Sequence, residues 1–235
     1  MTRQAIVKIV GFLTIVLGSP ALSFAQSNEI LKQKDARERI SRLEGLVEIG
    51  ELNYYCEIGE VYLFDLKDTK SALRNFEKGA AAQQALCQVF LGDYYFTEAV
   101  DQDKHQIAAK WYEMSIVQNN KSIQKEKGNK KNKPEALEMF ISAMNVQIAH
   151  AKSRLGFMYR KGLGVPQDDQ RALSLFRDAA SMGNAEAQFN LGGMYALGQG
   201  VAVDMREARK WMRKAADGGN AGATKWLVYT DAAGQ

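Results

Sequence analysis

Histidine is the side chain best placed for proton transfer or metal ligation near neutral pH, and this chain has two, His105 and His150. Neither has a second ligand type at metal spacing, so no metal site is implied. Capping or surface roles are expected instead, with His105 at a helix start and His150 between two helices. Ser122 and Lys125 match the Ser-x-x-Lys pattern of penicillin-recognising enzymes, but they sit in a polar stretch without the partner motifs. Gly162-Leu163-Gly164 and Gly198-Gln199-Gly200 are not a phosphate loop, because both fall between helix-period segments of a repeat. Cys56 and Cys87 form an even pair that an oxidising compartment would invite to bridge. The alternative for Cys87 is a small buried hydrophobe, since Ala151 and Ala187 hold its repeat position. No catalytic residue and no cofactor emerge.

The elements that position these residues are set by a repeat. Shifting 151–186 onto 187–222 aligns Ala151 with Ala187, Leu155 with Leu191, Gly156 with Gly192 and Tyr159 with Tyr195. Gly162/Gly198, Gly164/Gly200, Asp168/Asp204, Ala172/Ala208 and Gly183/Gly219 follow. Such a fixed period marks a stacked-repeat protein. Ala187, Leu191, Met194 and Tyr195 make one apolar face of a leading helix, which Gly198 and Gly200 end. Asp204 caps a trailing helix through Ala208, Trp211, Met212 and Ala215. Small residues such as Gly192 and Ala215 let the two helices approach, and each hairpin must stack on a neighbour to bury its apolar face.

These residues resemble the Sel-one-like repeat (SLR) family, a relative of the tetratricopeptide repeats. Its pattern is roughly A-x3-L-G-x2-Y-x2-G-x-G-V-x2-D-x3-A, and residues 151–220 match it closely. Gly156, Tyr159, Gly162, Gly164, Gly192, Tyr195, Gly198 and Gly200 are then repeat-structural residues. The resemblance implies an all-α, right-handed α-solenoid of stacked antiparallel helix hairpins. It also implies a non-enzymatic scaffold, periplasmic or secreted, that binds a partner protein in a concave groove as an adaptor, regulator or immunity-type protein. Some SLR relatives bind penicillin or weakly hydrolyse β-lactams, which is the alternative reading.

Residues 1–25 read as a signal peptide: Arg3 and Lys8, an apolar run from Ile9 to Leu17, and small residues ending at Ala25. Cleavage before Gln26 would leave a periplasmic or secreted chain with no later membrane-spanning segment. It would remove Arg3 and Lys8 and no acid, taking the formal charge of +4 to +2. So slight a basicity argues against nucleic acid as a partner.

Alanines at 36, 72, 108, 136, 172 and 208 form a ruler with one short step, between Ala108 and Ala136. It divides the mature chain into an N-terminal capping helix (26–50), degenerate repeats (51–118), a basic loop replacing a helix (119–133), regular repeats (134–220) and a C-terminal capping helix with its tail (221–235). About five hairpins and a monomer are expected. The turn from Glu98 to Asp103 has no glycine. The loop carries Lys121, Lys125, Lys127, Lys130, Lys131 and Lys133 against Glu126. It reads either as a solvated connection or as an arm for an acidic partner or anionic membrane surface. Tyr62, Tyr95, Tyr159 and Tyr195 recur and belong to the packing, whereas Phe64, Tyr94, Phe157 and Met194 could anchor a partner on the concave face.

Overall fold

A computed structural model describes residues 21–48, 54–129 and 134–232, and their side chains from Lys32 onward. Among the described residues there are ten α-helices and no strand. They are α1 (Ala21–Glu48), α2 (Tyr55–Glu60, continued by a π-helical turn Val61–Asp65), α3 (Thr69–Ala81), α4 (Ala85–Thr97), α5 (Gln102–Gly128), α6 (Pro134–Lys161), α7 (Asp169–Ser181), α8 (Ala185–Leu197), α9 (Met205–Asp217) and α10 (Ala221–Ala232). The signal-peptide reading falls largely on residues 1–20, outside the described residues, and α1 begins ahead of the expected cleavage point.

Helices pair as leading and trailing partners: α2 with α3, α4 with α5, α6 with α7, α8 with α9. Each trailing helix begins on an aspartate whose carboxylate accepts from a backbone amide, Asp68 from Ser71, Asp101 from Lys104, Asp168 from Arg171 and Asp204 from Arg206 and Glu207. These caps neutralise amides that the first turn leaves open. The turn without glycine thus supplies a cap, Asp101. It also supplies Gln102, whose amide nitrogen donates to the Gly162 carbonyl (3.3 Å) and whose amide oxygen accepts from the Gly164 amide. Gly164 (φ +67°) lies so close to the backbone of His105 and Gln106 that a β-carbon there would collide. Gly200 (φ +64°) stacks likewise on Asp169, and Gln170 donates to its carbonyl.

Inside each hairpin one glycine of the leading helix receives a large side chain of the trailing helix. Gly59 lies against Phe76, Gly92 against Tyr112, Gly156 against Phe176 and Gly192 against Met212. Ala72, Ala108, Ala172 and Ala208 are fully buried alongside. Ala36 and Ile40 of α1 pack on Ile58 and Val61, capping the N-terminal end.

The ruler fails at Ala136, which is exposed. Two expectations are corrected there. The stretch from Asn119 is not a loop: α5 runs on without a break to Gly128, while Lys130–Lys133 lie outside the described residues. Nor do 134–147 form a trailing helix of their own; they are the first half of the 28-residue α6, so His150 lies within a helix rather than between two. The other trailing and full leading helices, α3, α4, α7, α8 and α9, have 13 residues, against 27 in α5. The solenoid therefore has four hairpins, not about five, and the middle connection is drawn out into an antiparallel helical arm. Residues 119–128 need no full apolar face to do this. Ser115, Asn119 and Ile123 recur every fourth residue, all buried, and Asn119 donates to Gln147 across the arm (3.3 Å).

Candidate interaction surface

Leading helices approach one another from repeat to repeat more closely than trailing ones do, and so line the inner side of the solenoid. A polar chain crosses them. Asp93 follows Gly92 on α4, and Gly92 admits the Tyr112 ring, whose hydroxyl donates to Asp93 Oδ1 at 2.7 Å. His150 on α6 places Nε2 2.8 Å and 3.0 Å from the two oxygens of the same carboxylate. One turn later Arg154 brings Nε within 3.8 Å of Asp93 and donates from Nη1 to Glu186 on α8 at 3.3 Å. Its guanidinium lies over the Phe96 ring. Three successive repeats are thereby joined on one face.

Burial works to raise the Asp93 carboxyl, but the hydrogen bond and charge of His150, with Tyr112 and Arg154, outweigh it and hold it below the usual carboxylate range. An ionised carboxylate only accepts, so His150 Nε2 carries the hydrogen between them. Burial, reinforced by the Asp93 charge, pushes the Tyr112 hydroxyl far up, which keeps it a donor. Ser153, one turn from His150, is buried and its Oγ has no partner. The arrangement fixes Arg154 and Glu186 at a half-exposed surface; it does not present an activated nucleophile. In the sequence His150 stands out as one of two histidines, but nothing there marks Asp93 as its partner.

The four expected partner-binding residues separate. Phe64 is 49% exposed, its ring 6.4 Å from Phe90. Tyr94 is half-buried against Tyr95, and Phe157 half-buried between Phe96 and Arg160. Met194 is fully buried and is corrected to a core residue: it lies one turn beyond Leu191 on the same helix face, packed with Ala172, Leu173 and Ala187. Of the repeat tyrosines, Tyr159 is buried beneath Arg171 and Tyr195 accepts from Arg177. Gly162 and Gly198 share the positive φ of Gly164 and Gly200.

Cys56 on α2 and Cys87 on α4 are joined by a disulfide, Cα atoms 5.2 Å apart. A β-carbon on Gly79 would strike Cys87 Sγ. Lys121, Lys125 and Lys127 are exposed on the arm, and Ser122 lies among them one helical turn from Lys125. At the arm's base a groove of about 690 Å³ opens between the end of α3, the start of α4 and α5, lined by Ala80, Gln88, Trp111, Met114, Val117 and Lys121 among others. No group of three His, Cys, Asp or Glu residues able to hold a metal occurs among the described residues. Nor is any described helix long and apolar enough to cross a membrane.

The Sel1 repeat family matches this chain at residues 47–83, 85–120, 149–184 and 185–220. The unmatched interval 121–148 is the arm. Among solved structures, a Sel1 repeat protein from Oxalobacter formigenes is 27% identical, with 66% of this chain and 96% of that one covered and a TM-score of 0.47. A protective antigen present in uropathogenic Escherichia coli strains, displaying an SLR fold, is 21% identical, with 88% and 49% covered and a TM-score of 0.37. This chain thus spans about half the length of the second. No curated protein matches it.

Proposed function

The chain belongs to the Sel1 repeat family, whose members generally mediate protein–protein interaction, and from that premise we propose that it is a non-enzymatic scaffold holding a partner protein in its concave face. It acts outside the cytoplasm, in the periplasm or secreted, as an adaptor, regulator or immunity-type protein. The observation that carries the binding reading is the inner face itself. Arg154 and Glu186 are held half-exposed there by the Asp93 cluster, beside the half-buried rings of Tyr94 and Phe157. Fixed charges next to aromatic anchors are the composition of a recognition surface, because little side-chain entropy is lost when they are covered. The leader-like residues 1–25 and the Cys56–Cys87 bridge support the compartment, since such bridges persist where thiols are not kept reduced.

The test is capture with the purified chain as bait from the cell that makes it. Wild type retains a defined protein, and Tyr94→Ala with Phe157→Ala weakens retention by about tenfold or more, as truncating two anchors should, with the helical circular dichroism unchanged. Retention unaffected by both changes contradicts the concave-face reading. Turnover of a chromogenic cephalosporin that Ser122→Ala abolishes would contradict the non-enzymatic one.

A further inference from the structure

Successive leading helices are tied to one another by side chains, except at the last step. The Cys56–Cys87 bridge joins α2 to α4, Asp93 joins α4 to His150 and Arg154 of α6, and Arg154 joins α6 to Glu186 of α8. Asp93 also shows which residues of the next leading helix its position faces. His150 and Arg154 stand seven and three places before Phe157, the residue that follows the hairpin glycine of the next repeat as Asp93 follows Gly92. The same offset sets Gly193 of α8 opposite Gly222 and Trp226 of α10, seven and three places before Tyr229. The two helices do meet there. A β-carbon on Gly222 would lie 3.2 Å from the Phe189 ring, and Phe189 and Trp226 pack on the same core of Met212, Ala215 and Ala223.

Gly193 has no reason in the fold. Gly192 beside it lies against Met212, but a β-carbon on Gly193 would meet no atom within 4 Å, and its φ is not positive. Within a helix glycine is less favourable than alanine, so folding alone favours a side chain here. What stands in its place is a notch in the inner face. Its floor is the bare backbone of Gly193, with Phe189 one turn before it and Leu197, 70% exposed, one turn beyond. Trp226, half-buried, and Tyr229, 75% exposed, form the α10 side.

We propose that this notch takes one aromatic side chain of the partner protein. The inference rests on the concave-face reading and names what that face grips. A flat ring lies directly on the peptide planes of Gly193, from which a β-carbon would lift it, and the rings of Phe189, Trp226 and Tyr229 offer it edge and face contacts. None of the residues around the notch is charged, so nothing there recognises an ionic group. The size is that of one residue, because a single side chain, Asp93 or Phe157, fills the corresponding place two repeats and one repeat earlier. The notch also continues the line of Asp93 and Phe157 on the face assigned to the partner, which favours that protein over a second copy of this chain.

N-acetyl-tryptophanamide, titrated into the isotope-labelled full chain and followed through amide shifts, tests the site without the partner. It saturates and moves the amides of 189–197 and 222–229 together, while N-acetyl-leucinamide needs about threefold or more concentration for the same effect. Gly193→Leu fills the notch, keeps the helical circular dichroism, abolishes the saturable shifts and lowers capture of the partner by about tenfold or more. Gly193→Ala melts at the wild-type temperature or above it. Shifts that do not saturate, that fall elsewhere or that survive Gly193→Leu overturn the proposal, as does equal binding of the leucine probe. So does a lower melting temperature of Gly193→Ala, which would give the glycine a folding role. Capture weakened by Tyr94→Ala with Phe157→Ala but untouched by Gly193→Leu overturns the notch and leaves the concave-face reading standing. A dimer in sedimentation that Gly193→Leu dissolves would assign the notch to a second copy and equally overturn the proposal.

Discussion

Asp93 holds Tyr112, His150 and Arg154 from two other helices, so removing its charge affects more than one side chain. Asp93→Asn keeps an acceptor for Tyr112 but loses the carboxylate that His150 and Arg154 meet, and should cost about 1–3 kcal/mol. Because the carboxyl is depressed in the folded chain, its contribution is present above the ordinary carboxylate value and is lost as pH falls through the lower, folded one. The gap in melting temperature between wild type and variant should therefore be widest near neutral pH and narrow below about pH 4. A gap independent of pH would contradict the assignment. This residue was not legible in advance for a physical reason. Its counterparts in the other repeats are Glu60, Phe157 and Gly193, so no periodic rule marks it, and its role exists only where α4 meets α6. The glycines that receive Phe76, Tyr112, Phe176 and Met212 were legible, because close approach leaves the same mark in every repeat.

At the scale of elements, hairpins and their caps follow from local sequence, whereas the arm does not. A ruler of alanines includes Ala136 by its spacing, although that side chain faces solvent. The polar segment after Asn119 lacks the apolar face of a leading helix and instead prolongs α5 to Gly128. If the arm is an addition to an unbroken solenoid, replacing 121–148 by a short Gly-Asn turn like that of Gly183-Asn184 removes helix in proportion to its length. The remaining chain should still melt cooperatively, within a few degrees of wild type. Non-cooperative melting would mean that the arm is part of the core. The disulfide makes a separate prediction. It ties the leading helices α2 and α4 across 31 residues of sequence, and chain entropy bounds its contribution at about 3–4 kcal/mol. Cys56→Ala with Cys87→Ala should lower the urea midpoint by a corresponding amount, and unreduced wild type should be two hydrogens lighter than its thiol form by mass spectrometry. An unchanged midpoint would contradict the bridge.

Across the described residues the first and last hairpins are flanked by different means. Ala36 and Ile40 of α1 cover the first hairpin. At the other end, Val228 of α10 stands in the register of Gly156 and Gly192 and is 63% exposed. A side chain there blocks the close approach that a further trailing helix would need. The result is a four-hairpin scaffold with an inner face and one projecting arm. Partner contact is expected on the inner face and not on the outer sides of the trailing helices. The direct measurement is site-specific photocrosslinking in the cell that makes the protein, with the reactive group placed in turn at Tyr94 and Phe157 on the inner face and at Arg213, an exposed residue of the trailing helix α9. Discrete adducts from Tyr94 and Phe157 and none from Arg213 are expected. Adducts from Arg213 as strong as the rest, or none from Tyr94 and Phe157, would contradict that expectation.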